Sequence, residues 1–137
     1  MTAKILLVED DPAQLMALAL LIERRLGYQA VKTENAAQAF AALKNSPHQD
    51  IQLAILDLKL PEIDGMEMLD IIKQQYPHLP VIMLTGQNDA ETAVQAMQRG
   101  ACDFLNKPPE AERLQASIQN ALKMAVLEKE VLRLKKK

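Results

Sequence analysis

Short apolar runs alternate with longer stretches of helical periodicity, five times along the chain. Lys4–Val8 (KILLV) has the look of a strand buried on both faces. Pro12 opens a helix, where its missing N–H costs nothing, and Leu15, Leu18, Ile22 and Leu26 follow at spacings of three and four. Gly27 stands where a helix-ending left-handed residue belongs. Tyr28–Thr33 alternates as a second strand, and Asn35 can cap a helix over Ala36–Lys44, with Pro47 beyond its end. The pattern then repeats. Ile51–Leu56 is a third strand, and Gly65–Gln75 a helix with Met66, Leu69 and Ile72 on one side. Pro80–Leu84 is a fourth strand, and Asn88 with Glu91 forms a capping box for a helix through Arg99, stopped by Gly100. Ala101–Leu105 is a fifth strand, before a long helix from about Glu110. Strands separated by helices of this length imply parallel crossovers, so the prediction is an α/β fold with a doubly wound parallel sheet and helices on both faces.

The 137 residues suit one domain, and 49% hydrophobic with 25% charged residues argues against disorder. No apolar run reaches the roughly 20 residues of a membrane span, and residues 1–10 do not read as a signal peptide, so no membrane contact and a cytoplasmic location are expected. Cys102 is the single cysteine and reads as a small strand residue. A net charge of −2, with no Trp and few other aromatics, gives no sign of direct nucleic-acid binding. The charge is uneven, because Glu128–Lys137 holds five basic residues against two acids. A basic helix end complements the helix dipole.

Ligands of such sheets gather at the carboxyl ends of the strands. There the sequence offers Glu9-Asp10-Asp11 after the first strand, Asp57 after the third, Thr85-Gly86 after the fourth and Asn106-Lys107-Pro108 after the fifth. Crowded carboxylates repel one another, and a hard divalent cation such as Mg²⁺ resolves the conflict. Asp11, just before Pro12, reads instead as the helix cap. A carboxylate beside Mg²⁺ can act as a nucleophile toward phosphorus, which makes Asp57 a candidate for an aspartyl phosphate. The cation and Lys107 would offset charge on the phosphoryl oxygens, Thr85 offers a hydroxyl to one of them, and Gly86 leaves room for the group to enter.

With VEDDP, LDLKLPEIDG, VIMLTG and DFLNKP in place, the sequence resembles the receiver domain of two-component response regulators over residues 3–123. The resemblance implies a flavodoxin-like sheet of order 2-1-3-4-5 and a phosphoacceptor module rather than an enzyme. It implies phosphorylation of Asp57 by a histidine kinase or histidine phosphotransfer protein. Asp10 and Asp57 would bind Mg²⁺ directly, Glu9 through water, and the backbone carbonyl of Lys59 would complete the set. Thr85 and Phe104 match the family's switch pair, and Lys107 its phosphate-binding lysine, followed by a cis bond to Pro108. Phe104 stands where many members carry tyrosine, so no switch step can use a phenolic OH. Lys59 and Gln87 occupy positions through which members vary phosphoryl lifetime, and Pro109 stiffens the start of the last helix.

Two other readings compete. A Mg²⁺-dependent aspartyl-phosphate phosphatase of haloacid dehalogenase-like type would place a second Asp two residues after the nucleophile, where this chain has Lys59, and the 137 residues hold no cap domain. A flavodoxin-like FMN binder would need N–H and hydroxyl donors in the first loop, which here is EDDP. His48 and His78, each after a proline, read as loop residues, and Met66, Met68, Met83 and Met97 as core or half-buried packing. In the last helix Leu114, Ile118, Ala121 and Ala125 form a stripe for the sheet. Beyond it Met124, Leu127, Val131 and Leu134 are spaced as a heptad seam of under two heptads. Residues 124–137 therefore read either as a frayed helix end or as a signalling helix that leads to a homodimer, through the last two helices, or to a downstream output domain.

Overall fold

The computed structural model describes residues 3–45, 50–60, 62–86 and 90–135. His48, Gln87, the Asn88 cap and the last two lysines lie outside these residues. Five parallel strands, β1 (Lys4–Val8), β2 (Gln29–Thr33), β3 (Ile51–Asp57), β4 (Val81–Thr85) and β5 (Asp103–Asn106), form one sheet in the order β2-β1-β3-β4-β5. Helices α1 (Pro12–Leu20), α2 (Ala36–Lys44), α3 (Gly65–Gln75), α4 (Ala90–Gln98) and α5 (Ala111–Lys135) connect the strands and extend the end. One apolar layer joins Leu6, Val8 and Leu56 to α2, α3 and α4, and the other joins Ile5, Leu7 and Ile55 to α1 and α5. The central strands are buried on both faces because each face carries its own helical layer, which is why they are apolar without interruption.

Local rules place most ends. Asp11 accepts from the N–H groups of Ala13 and Gln14, Asn35 from Gln38 and Asp64 from Met66, each capping its helix. Gly27 and Gly100 take φ of 81° and 109°, a conformation that costs a glycine nothing. The strands are shifted from their predicted bounds by up to two residues: β2 omits Tyr28, β3 includes Asp57, β4 runs Val81–Thr85 and β5 starts only at Asp103. Cys102 thus precedes its strand and bonds back to Val81 O at 2.8 Å. Burial, with Asp103 beside it, pushes its thiol up to about 11, which suits an inert packing residue.

Three details were not foreseen. The first helix does not stay α to its end, since Leu21–Arg25 forms a π turn in which Leu26 N–H reaches Leu21 O at 3.0 Å. Between Ile51 and Leu53 the β1–β3 register slips by one residue, a bulge that leaves Gln52 exposed and resets which side chains face α1 and α5. Met66, Met68 and Met83 are buried as expected, whereas Met97 is 48% exposed on the outer side of α4 and is not a packing residue.

Candidate functional site

The bulge at Gln52 matters for chemistry. After it, Val8 pairs with Leu56, so Glu9 emerges beside Asp57 at the carboxyl edge of the sheet. Glu9 and Asp57 are buried, 3% and 8% exposed, while Asp10 projects outward. Carboxylate oxygens of Glu9, Asp10 and Asp57 lie within 4.8 Å of one another. Two buried carboxylates at this range would be costly if unpaired. The Lys107 ammonium offsets that cost, bonding Glu9 Oε1 and standing 3.1 Å from Asp57 Oδ2. Their other oxygens are also satisfied: Asp11 N–H donates to Glu9 Oε2 at 3.1 Å and Lys59 N–H to Asp57 Oδ1 at 3.3 Å. Burial by itself would lower the lysine's pKa, but the bonds and charges of Glu9 and Asp57 outweigh it and hold the ammonium above its ordinary value.

Lys107 reaches this point because its backbone N–H bonds Thr85 O at 2.7 Å, and a cis peptide to Pro108 turns the chain away into α5. Thr85 closes β4 with 2% exposure. It forms the wall of an open cleft of about 670 Å³ together with Glu9, Asp57, Lys59, Gly86 and Lys107. Among the described residues, a methyl on Gly86 would meet no protein atom within 4 Å, so this side of the cleft is open to an incoming group. Phe104 lies outside the cleft, half-buried against the α2–α4 layer. It pairs with Met83, and because alternate residues share a face, Thr85 and Phe104 look to the same side of the sheet. Lys59 is exposed, and its backbone N–H is engaged at Asp57.

Residues beyond the predicted set also shape the site. A Cβ on Gly65 would come within 2.6 Å of the carbonyl oxygens of Asp57 and Leu58, so only glycine lets α3 start this close to the strand end. The signal was present in the DG pair at a helix start, where glycine is otherwise a poor choice. Gln14 joins Lys107 to Asp11. Asp103 holds α5 to β5 through Arg113 at 3.0 and 3.2 Å and the buried Ser117 at 2.7 Å. Desolvation would raise the Asp103 carboxyl, yet the bonds from Ser117 and Arg113 keep it below its usual value.

The donor set consists of hard carboxylate oxygens with an open side, which fits a small divalent cation that retains waters. The geometry does not favour the phosphatase alternative, because the position that would need a general acid is the exposed Lys59.

Comparison with known proteins agrees with the geometry. A family model described as the response regulator receiver domain matches residues 5–119. The nitrogen assimilation regulatory protein NtrX of Azorhizobium caulinodans is 39% identical over 98% of this chain and 29% of its own length. A response regulator receiver domain protein from Clostridium thermocellum superposes with a TM-score of 0.84 at 33% identity, covering 91% of this chain and 98% of that one. The beryllofluoride-activated receiver domain dimer of NtrC4 superposes with a TM-score of 0.81 at 30% identity, covering 89% and 98%. The chain spans less than a third of the length of the curated relatives it matches. With that family model matching residues 5–119 and the sheet running β2-β1-β3-β4-β5, the chain belongs to the response regulator receiver domain family.

Proposed function

We propose that residues 1–123 are a phosphoacceptor module in a two-component phosphorelay, phosphorylated on Asp57. The observation that carries this reading is the buried Asp57 carboxylate facing Glu9 and Asp10 with the Lys107 ammonium 3.1 Å away. A carboxylate oxygen of Asp57 attacks phosphorus; the donor's bond to phosphorus breaks and the leaving group departs with the electron pair. Asp10, Asp57 and the Lys59 carbonyl, with Glu9 through water, would hold Mg²⁺, which would supply charge neutralisation on the phosphoryl oxygens. Lys107 and Thr85 orient that group, and Thr85 with Phe104 reports its presence to α4 and α5. The donor is a histidine kinase or histidine phosphotransfer protein in the cytoplasm. It would approach over exposed Met16 and Leu20 of α1, beside the apolar flank of the cleft at Ala17, Leu21, Pro108 and Pro109.

Acetyl phosphate with Mg²⁺ should add one phosphoryl group by intact mass. If Asp57→Asn is labelled to the same extent, the assignment is wrong. We read residues 124–137 as a helical extension toward a dimer or an output domain. Among the described residues no helix is long and apolar enough to cross a membrane.

A further inference from the structure

Lys107 has three N–H donors and meets three acceptors: Glu9 Oε1, Asp57 Oδ2 at 3.1 Å, and the side-chain Oε1 of Gln14 at 2.9 Å. Two of these are carboxylates that a cation would engage, and the third is neutral. The other end of the same amide donates from Nε2 to Asp11 Oδ2 at 3.3 Å, and Asp11 caps α1. Chemistry dictates which way the amide points, since an ammonium only donates and a carboxylate only accepts. Gln14 lies three residues after Asp11, on the same helix face, and its side chain lines the cleft beside Glu9 and Asp57.

We propose that Gln14 is a positioning residue for phosphoryl transfer, its neutral amide oxygen holding the Lys107 ammonium at the cleft apart from Glu9 and Asp57, the two carboxylates that a cation would engage. The inference rests on Asp57 as the phosphoacceptor. When an Asp57 oxygen bonds to phosphorus and acetate leaves acetyl phosphate with its electron pair, negative charge spreads over the three equatorial oxygens. A lysine on a flexible stem loses entropy in meeting them, and an anchor already attached to the helix cap prepays part of that loss. Neutrality suits the anchor, because it adds no negative charge against an anionic donor and gives up the ammonium readily.

Gln14→Met keeps the size and removes the amide, whereas Gln14→Glu keeps an acceptor and adds charge. With acetyl phosphate and Mg²⁺, Gln14→Met should label Asp57 about tenfold more slowly at saturating donor, with the half-saturating donor concentration unchanged. Gln14→Glu should also label more slowly. The lysine NH₃⁺ groups seen by ¹⁵N NMR with Mg²⁺ and no donor provide a readout independent of turnover. The Lys107 resonance should be protected in wild type and in Gln14→Glu, and lost to exchange in Gln14→Met. Wild-type labelling and an unchanged Lys107 resonance in Gln14→Met would overturn the role. If wild-type protein takes no phosphoryl group on Asp57, the underlying reading fails first, and the proposal with it.

Discussion

Gly65 is the residue whose replacement should be felt most at the site for the smallest change in size. A methyl there must displace the Asp57 and Leu58 carbonyls, which are backbone and cannot rotate aside. Gly65→Ala is expected to cost about 1–3 kcal/mol in denaturant unfolding and to slow Asp57 labelling, whereas Gly86→Ala should leave stability unchanged. Lys107 gives a pH signature. Its value is raised in the folded state, so its stabilisation is complete below the unfolded lysine pKa and is lost as pH rises through the folded value, above 10.5. Lys107→Met should therefore lie below wild type by about 1–3 kcal/mol at pH 8 without metal, the gap closing only in strongly alkaline solution. A gap that closes between pH 6 and 8 would refute the cradle formed by Glu9 and Asp57.

At the scale of elements, two neighbouring acids at the start of α1 divide their work. Asp11 caps the helix, so Asp11→Ala should lower stability by about 1 kcal/mol and leave Mg²⁺ affinity nearly unchanged. Asp10 is exposed and belongs to the acidic group, so Asp10→Ala should lose most Mg²⁺ affinity, with apo stability unchanged or higher because like charges are relieved. Calorimetric Mg²⁺ titrations of both variants check this, and equal affinities would count against the geometry. α5 is docked in a different way, by the Leu114–Ile118–Ala121 stripe and by Asp103 clasping Arg113 and Ser117. That clasp adjoins Phe104, whose N–H bonds Asp103 Oδ1 at 2.8 Å, and so ties this position of β5 to α5.

For the whole molecule, a phosphoryl group on Asp57 at one edge would have to change an outer surface. Complete burial of a phenylalanine yields roughly 1.5–3 kcal/mol, and Phe104 is already half-buried, so less than that remains to be gained. Moving a population from mostly inactive to mostly active takes about 5.5 kcal/mol, so contacts from Thr85 and Lys107 to the phosphoryl group must supply most of it. The surface that would respond carries exposed apolar side chains: Met124, Leu127, Val131 and Leu134 on α5 are 56%, 60%, 50% and 65% exposed. Beryllofluoride with Mg²⁺ should promote self-association through this seam. Sedimentation velocity should show a dimer in wild type and none in Leu127→Glu/Val131→Glu. A double variant that associates like wild type would exclude the seam as the interface.

Periodicity, caps and left-handed glycines act within a few residues, which is why the sequence alone determined the five strands, the five helices and the caps at Asp11 and Asn35. The acidic, hydroxyl and amine residues were legible too, because a parallel sheet brings every strand's carboxyl end to one edge. Strand bounds slipped by a residue or two, since pairing with a neighbour, not local pattern, decides where a ladder stops. The bulge at Gln52, the π turn at Leu21–Arg25 and the exposure of Met97 carry no signal in the hydrophobic periodicity and are seen only in the folded chain. Three contacts between elements were decided only by tertiary structure. They are the closeness of Gly65 to the Asp57 carbonyl, the hold of Asp103 on Arg113 and Ser117, and the seating of Lys107 among Glu9, Asp57 and Gln14. Each joins residues of different elements, and their distances are set by how the helices settle on the sheet.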